Sequence, residues 1–401
     1  MGIKRIILLG DGMPDEAIEA LGGRTPLQAA RTPNMDRMAR EGTVGWVKTT
    51  PDGYSPGSDV TNMGILGYDP KKYYTGRAPL EAAAMGINLG PKDVAYRCNL
   101  VTLEPTTEGV IMADFSAGHI ETDVAEQLIR DLDAYFGNDS EVRFHPGVSY
   151  RHLMVWKNGI EDVKCTPPHD ISGKNIKDYL PQGAKGEKLR HIISETQIFL
   201  KNHKLNKERV HAKKPAANSI WLWGQGKAPT MPTLKDFRGL TGSMISAVDL
   251  MKGIGVLAGM EVINVPGATG YIDTNYAGKA QAAIDALKKK DIVYIHLEAP
   301  DESSHAGSLE NKIKAIEDFD QKIVGPLLDA IKKLNGRAMV LSDHPCPLST
   351  MTHSRGDVPF AMWPAIGEGS PAEVYDESII GRNGGLYFDE APKLFERFIR
   401  D

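Results

Sequence analysis

Cysteine is scarce: Cys98, Cys165 and Cys346 are the only three in 401 residues. They are too few and too scattered for a disulfide framework or a cysteine zinc site. Such scarcity fits a reducing compartment, so the cytoplasm is the expected location. Long apolar runs are missing as well. None approaches the roughly 18 residues that a bilayer-spanning helix needs, so no membrane association is expected. Lys4 and Arg5 precede only four apolar residues, too few for the core of a signal peptide. No charge of one sign dominates, since 47 Lys and Arg stand against 52 Asp and Glu. The resulting net charge of −5 argues against a nucleic-acid partner. Phosphate loops also fail. In GQGKAPT (224–230) position 221 is Trp and Ala228 follows the lysine, which breaks G-x-x-x-x-G-K-[ST]. GDGMPD and GIGVLAG both miss G-x-G-x-x-G, and their glycines read as tight turns. Internal repeats and low-complexity tracts are absent.

What is present is ordinary globular material, 41% hydrophobic and 25% charged, long enough for two or three domains. KRIILLG (4–10) reads as a buried strand that ends in Asp11. DIVYIHLEAPD (291–301) repeats the plan, and GRAMVLSDH (336–344) does so again. Helical stretches at 277–290 and 312–334 precede these last two strands, with Pro326 marking a break or kink in the second. That order predicts an α/β fold, a mostly parallel sheet with helices on both faces. The middle of the chain differs. Between 91 and 235 lie short strand candidates (AYRCNLVTL, VIMADFS, YRHLMVW) and one clear helix at 121–135. This stretch carries 20 Lys and Arg against 18 Asp and Glu, so it is more basic than its frame. Gly/Pro-rich segments at 86–93 and 226–234 read as linkers around an inserted, smaller α+β domain. The expected division is therefore 1–90 with 236–401, and 91–235. The basic run at 199–214 lacks interleaved aromatics and reads as a solvated helix face.

Chemistry gathers at the strand ends. Asp11, Asp301 with His305, the adjacent Asp343 and His344, and His353 nine residues later form a mixed oxygen and nitrogen set. Such donors suit Zn²⁺ or Mn²⁺. Spacing of four in D-x-x-x-H puts both side chains on one side of a helical turn. Each signal alone is ordinary, since an Asp at a strand end is more often a helix cap. Together, in a chain with 11 histidines, they point to a two-metal site of the kind that clamps the oxygens of an in-line displacement. The stretch SPGSDVTNMGILGYDP (55–70) supplies a nucleophile. Ser58 falls at a helix start, where free N–H groups and the macrodipole favour an alkoxide and a bound phosphate. Ser55 is its local competitor, and Asn62 is a candidate phosphate contact.

These residues, in this order, resemble the alkaline phosphatase superfamily. The strings GDGM, GSDVTNMGILGYDP, YTGRAPLEAAAMGI, YRCNLVT, AGHI, CTPPHDI, SAVDLMKGIG, EAPDESSHAG and LSDHPCP resemble the archaeal-type branch of 2,3-bisphosphoglycerate-independent phosphoglycerate mutase, nearly end to end. The resemblance implies a bilobal enzyme, with a metal-binding phosphatase-like lobe and an inserted substrate-binding lid. It implies interconversion of 3-phosphoglycerate and 2-phosphoglycerate through phosphoserine at Ser58, with no 2,3-bisphosphoglycerate cofactor. Asp11, Ser58, Asp343 and His344 would serve one divalent ion, and Asp301, His305 and His353 the other. Mn²⁺, Zn²⁺, Co²⁺ and Mg²⁺ are the candidate metals. His119 in AGHI matches the family's substrate histidine. Arg97 and Arg151 are candidate clamps for carboxylate or phosphate. His169 with Asp170 would face the hinge or the small phosphorylated substrate, and Lys252 the phosphate. Cys346 is expected outside the metal shell, because the other clusters lack a dedicated soft ligand. Two relatives of this chemistry stay open. One is phosphotransfer to another small alcohol such as homoserine, and the other is a metal-dependent phosphatase. A sulfatase is disfavoured by the lack of C-x-P-x-R, and a binding protein without turnover by the intact set. The oligomeric state is left open by the pattern.

Overall fold

The apolar run near the N-terminus becomes the strand Arg5–Gly10, in which all six residues are buried. Burial on both faces is the mark of a central strand in a parallel sheet. In the computed structural model, which describes residues 2–137 and 140–400, this strand lies between Ile292–Leu297 and Arg337–Leu341, parallel to both. Beyond Ile292–Leu297 follow Gly242–Ile245 and Glu261–Val262. On the other side follow Asp357–Trp363, Thr43–Lys48 and Leu386–Phe388. Among these eight strands only Asp357–Trp363 runs against its neighbours. The mostly parallel α/β sheet is as expected. On one face Ile6, Leu8, Val293, Ile295 and Val340 pack against Met35, Leu287, Phe319 and Leu328 of surrounding helices. The opposite face is covered by the helix Ser58–Ile65, which itself packs against Asp249–Leu257 and Ala391–Ile399.

The helical stretch before Arg337–Leu341 is not broken at Pro326 but carries an irregular turn immediately before it. Leu309–Phe319 passes through a π turn, Asp320–Val324, into Gly325–Lys333. Pro326 thus sits in a first turn, where its missing N–H is harmless, and the π turn absorbs the mismatch. The buried Asp320 carboxylate meanwhile accepts hydrogen bonds from the Asn34 and Met35 amides at 3.1 and 2.7 Å, capping the helix Pro33–Glu41.

The sheet and its helices belong to one unit, formed by the chain up to Tyr74 and from Thr230 onward; Thr75–Pro229 form a second. These boundaries differ from the expected 90/91 and 235/236. The helix Arg77–Ala84 accounts for the first difference. Its Ala78 and Ala82 pack on Ala95 and Leu153, so it belongs with the second unit. The second unit is built on one long strand, Val94–Thr106, paired antiparallel with Arg151–Trp156, Ser219–Lys227 and Gly109–Asp114. A fifth strand, Val142–His145, extends the sheet beyond Arg151–Trp156. The helices Thr122–Phe136 and Glu187–Asn202 cover it, with Leu128, Ile129, Ile192 and Ile193 against Tyr96, Cys98 and Leu222. Ser219–Lys227 was not anticipated, because its GQGK end reads as loop. Glycine is required there: a Cβ on Gly226 would lie 2.1 Å from the Thr75 carbonyl oxygen. Among the described residues no helix is long and apolar enough to cross a membrane.

Candidate active site

Three adjacent parallel strands end at the same edge of the sheet, where open α/β folds bind their ligands. Asp11 follows Arg5–Gly10 directly, and its amide donates to the Leu297 carbonyl at 2.9 Å. Asp343 and His344 follow Arg337–Leu341. Asp301 and His305 stand on the short helix Ala299–His305 that leaves Ile292–Leu297. His353 lies on the chain returning toward Asp357–Trp363. The side chains form two donor clusters, Asp11 with Asp343 and His344, and Asp301 with His305, His353 and Cys346. Within each, the donor atoms lie within 4.8 Å of one another. The clusters adjoin, since the His344 and His353 rings stack with centroids 4.0 Å apart. Ser58 is the first residue of Ser58–Ile65, and its Oγ lies 3.2 Å from His344 Nε2. Ser55 is exposed on the preceding loop. Gly12 lets the first loop pass: its φ is +61°, and a Cβ there would meet Asp301 Oδ1 at 2.6 Å.

Three buried carboxylates converge here. Burial, then the charges of Asp343 and Asp301, push Asp11 well above the usual carboxylate range. Burial alone would raise Asp301 too, but hydrogen bonds with His305 and His353 hold it well below. The Asp301 carboxylate in turn lifts His305 to about 9. His305 Nε2 and His353 Nε2 face each other at 3.0 Å, so two nitrogen donors aim at one point. Asp11 Oδ1 and Asp301 Oδ1 are buried, with His344 Nε2 and His353 Nε2 standing off at 3.5 Å from them respectively. Buried carboxylate oxygens held loosely beside facing imidazoles are what divalent cations satisfy. The donor set therefore fits a cation in each cluster. Cys346, expected outside the shell, sits inside the second cluster, with its thiol pushed up by burial and by Asp301.

The second unit gathers the other candidates on a run of touching rings and cations. Arg97 lies over the Trp223 ring at 4.2 Å, and Trp223 meets His169 edge-on at 5.3 Å. His169 meets Phe115 at 6.3 Å, Phe115 and His119 both meet Tyr150, and Arg151 lies 5.6 Å from the Tyr150 ring. His119 and Arg151 are exposed. Arg97 is buried, donates to Glu81 at 3.0 Å, and is lowered to about 10 by burial. His119 ends a run of three left-handed residues, Ala117 (φ 50°), Gly118 (φ 70°) and His119 (φ 48°). Conformations this sparse persist only when over-determined. Here Asp114 accepts from the Ser116 and Gly118 amides at 2.7 and 3.0 Å. The buried Arg209 donates to the Ala117 carbonyl at 2.8 Å. The basic run is thus more than a solvated face at Arg209. Asp170 is exposed beside His169 at 3.6 Å. In the first unit, Lys252 pairs with Asp249 of its own helix at 3.0 Å.

A family model for 2,3-bisphosphoglycerate-independent phosphoglycerate mutase matches residues 39–206. A probable enzyme of that name from Geobacter sulfurreducens is 51% identical over 99% of this chain and all of its own length. One from Methanosarcina acetivorans is also 51% identical, over 99% of this chain and all of its own. The chain belongs to the 2,3-bisphosphoglycerate-independent phosphoglycerate mutase family. The solved structure of a cofactor-independent phosphoglycerate mutase from Thermoplasma acidophilum is similar, with TM-score 0.67 at 25% identity over 99% of both chains. A Pyrococcus horikoshii protein reaches 0.83 at 26% identity, covering all of this chain and 97% of its own.

The fold of this mutase-family chain also places a supporting layer that motif reading missed. Tyr294 and His296 alternate on the strand Ile292–Leu297, so both face the side opposite Val293 and Ile295. His296 Nε2 lies 2.9 Å from Asp11 Oδ2, and its Nδ1 3.2 Å from Ser246 Oγ. Burial lowers His296 to about 4, so the ring is neutral, with one nitrogen toward Asp11 and the other toward Ser246. Tyr294 donates to Asn62 Oδ1 at 2.5 Å. Asn62 Nδ2 donates to Asp343 Oδ2 and to the Ser58 carbonyl, each at 2.9 Å. Asn62 is fully buried with both ends of its amide spent. In this structure it orients Asp343 instead of facing a phosphate. The signal was available: a Tyr and a His two apart inside an otherwise apolar strand.

Proposed function

We propose that this chain interconverts 3-phosphoglycerate and 2-phosphoglycerate, with Ser58 carrying the phosphoryl group between the two hydroxyls. The observation that carries the proposal is Ser58 Oγ at a helix N-terminus, 3.2 Å from His344 and beside two convergent donor clusters. Asp11, Ser58, Asp343 and His344 would hold one divalent ion, and Asp301, His305 and His353 the other, with Mn²⁺, Zn²⁺, Co²⁺ or Mg²⁺ as candidates. When bound, the ions neutralise phosphoryl charge and favour the Ser58 alkoxide. Ser58 Oγ attacks the phosphorus of 3-phosphoglycerate as the O3–P bond breaks, and the proton lost by Ser58 is matched by one gained at the departing O3, giving glycerate. Glycerate is kept, reorients, and its 2-hydroxyl attacks phosphoserine, regenerating Ser58. Because the group waits on the protein, no 2,3-bisphosphoglycerate is required. First-turn amides of Ser58–Ile65 hold phosphoryl oxygens. The second unit's cationic face, with His119 and Arg151, retains the glycerate carboxylate. Free, mostly buried cysteines fit a cytoplasmic enzyme.

The test measures 2-phosphoglycerate, through coupled enolase, and free phosphate on one sample. Each charge-assisted contact to an anion is worth about 1.5–3 kcal/mol, roughly one to two powers of ten in retention. His119→Ala and Arg151→Ala are therefore expected to lower isomer formation and raise the ratio of phosphate to 2-phosphoglycerate. Equal loss of both products would reject the retention role. Phosphorylation of homoserine by ATP, with no isomerisation, would reject the mutase reading.

A further inference from the structure

The second donor cluster holds one group too many for the metal set read from the sequence. Asp301, His305 and His353 are joined by Cys346, with one donor atom from each residue inside the same 4.8 Å. The cysteine is fully buried. A buried free cysteine is ordinarily a small apolar filler, but the groups around this one are a carboxylate and two imidazoles. Its backbone is held at both ends. The Cys346 amide donates to the Pro14 carbonyl at 3.1 Å. Its carbonyl accepts from Lys312 Nζ at 2.8 Å, and Lys312, wholly buried, also pairs with Asp15 at 2.7 Å. Pro345 and Pro347 flank it and restrict both neighbouring backbone torsions. A further observation points to a ligand at this spot: Asp301, 4% exposed, has His305 Nε2 3.1 Å from its Oδ2 and His353 Nε2 3.5 Å from its Oδ1, so both imidazoles crowd one buried carboxylate.

Resting on the two-metal reading above, we infer that Cys346 Sγ is a fourth donor to the Asp301, His305 and His353 ion. The thiol proton passes to solvent as the ion binds. The two sites then differ in kind. Asp11, Ser58, Asp343 and His344 present three oxygens and one nitrogen, a hard set that accepts Mn²⁺ or Mg²⁺. Asp301, His305, His353 and Cys346 present one oxygen, two nitrogens and one sulfur, a set that selects Zn²⁺ or Co²⁺. The centre is therefore a mixed-metal one, and its soft position is set by a residue outside the D-x-x-x-H and D-H motifs.

The test uses the full chain, stripped of metal and titrated with Co²⁺, with native mass spectrometry counting bound ions. Expected is a thiolate-to-cobalt charge-transfer absorption that Cys346→Ser abolishes and Cys165→Ser keeps. Preference for Zn²⁺ over Mn²⁺ at that site should fall by about tenfold or more in Cys346→Ser. X-ray absorption on the zinc-loaded wild type keeps the test independent of any variant's folding, with a sulfur scatterer expected at about 2.3 Å. Two bound ions with no sulfur scatterer and no charge-transfer band would overturn the inference and leave the two-metal reading standing. No bound ions at all would overturn both.

Discussion

Replacing Tyr294 with Phe removes one hydroxyl from the layer beneath the donor clusters. Burial pushes that phenol well above its ordinary pKa, so it is a fixed donor at working pH. Its single bond, 2.5 Å to Asn62 Oδ1, decides which way the amide faces. In Tyr294→Phe, Asn62 Oδ1 is left unpartnered at a position with no solvent exposure, at a cost of about 1–3 kcal/mol. Rotation of the amide would relieve that loss only by turning an oxygen toward Asp343 Oδ2, now 2.9 Å from the nitrogen. Either outcome misplaces Asp343. Loss of such an orienting partner lowers metal affinity or activity by about 10–100-fold, which is about 1.4–2.8 kcal/mol at 1.4 per power of ten and matches the range above. The assay is chelator competition for the two ions, with kcat and KM measured separately. Metal affinity and kcat are expected to fall while KM for phosphoglycerate holds. Tyr375→Phe is the control, since it too loses a buried phenol bond, 2.9 Å to the Pro359 carbonyl, with no donor residue on the receiving end. If the two variants lose equal stability and both keep wild-type metal affinity and kcat, the orienting argument fails.

Other outcomes follow from the same geometry. Exhaustive chelation should abolish isomerisation and Mn²⁺, Co²⁺ or Zn²⁺ restore it, while His305→Ala and His353→Ala each weaken one ion, counted by elemental analysis. Ser58→Ala should fold, bind metal and lose turnover, and phosphate found by mass spectrometry on Ser55 would refute the assignment. His152 is buried and lowered to about 3 by desolvation, so the folded second unit holds it neutral. Unfolded chains take up that proton near pH 6.5. Its contribution is thus complete above pH 6.5 and lost progressively down to about 3, by about 1.4 kcal/mol per pH unit. Denaturant titrations of wild type and His152→Gln at pH 7 and 5 check this, and equal pH slopes would refute it.

Much of the frame was legible because buried parallel strands are written as unbroken apolar runs. Arg5–Gly10, Ile292–Leu297 and Arg337–Leu341 each announce themselves that way, and each is followed by its acid. Ser58 was legible because Pro56 and Gly57 punctuate the chain just before a helical stretch. Less visible were groups whose meaning depends on sequence-distant partners. Asn62 looked free until Tyr294 and Asp343 were placed around it. His296 shows in the sequence only as an exception, a polar residue two places from Tyr294 inside an otherwise apolar strand. Cys346 stands alone as a soft donor, so nothing in the pattern ties it to Asp301, His305 and His353. The boundary expected at 90/91 misses the helix Arg77–Ala84, because the alanine face that decides its unit matches residues downstream, Ala95 and Leu153.

The one strand that runs against its neighbours, Asp357–Trp363, has a consequence for how the last donor arrives. A parallel strand after Arg337–Leu341 would oblige the chain to travel the length of the sheet and back before pairing. Reversal instead keeps residues 342–356 at the edge where they emerged. One short excursion therefore delivers Asp343 and His344 on its way out and His353 on its way home. Both clusters draw on a single loop, and that loop's length is a shared setting. An insertion between His344 and His353 would displace donors of both clusters together while leaving the pairing of Leu341 with Phe360 untouched.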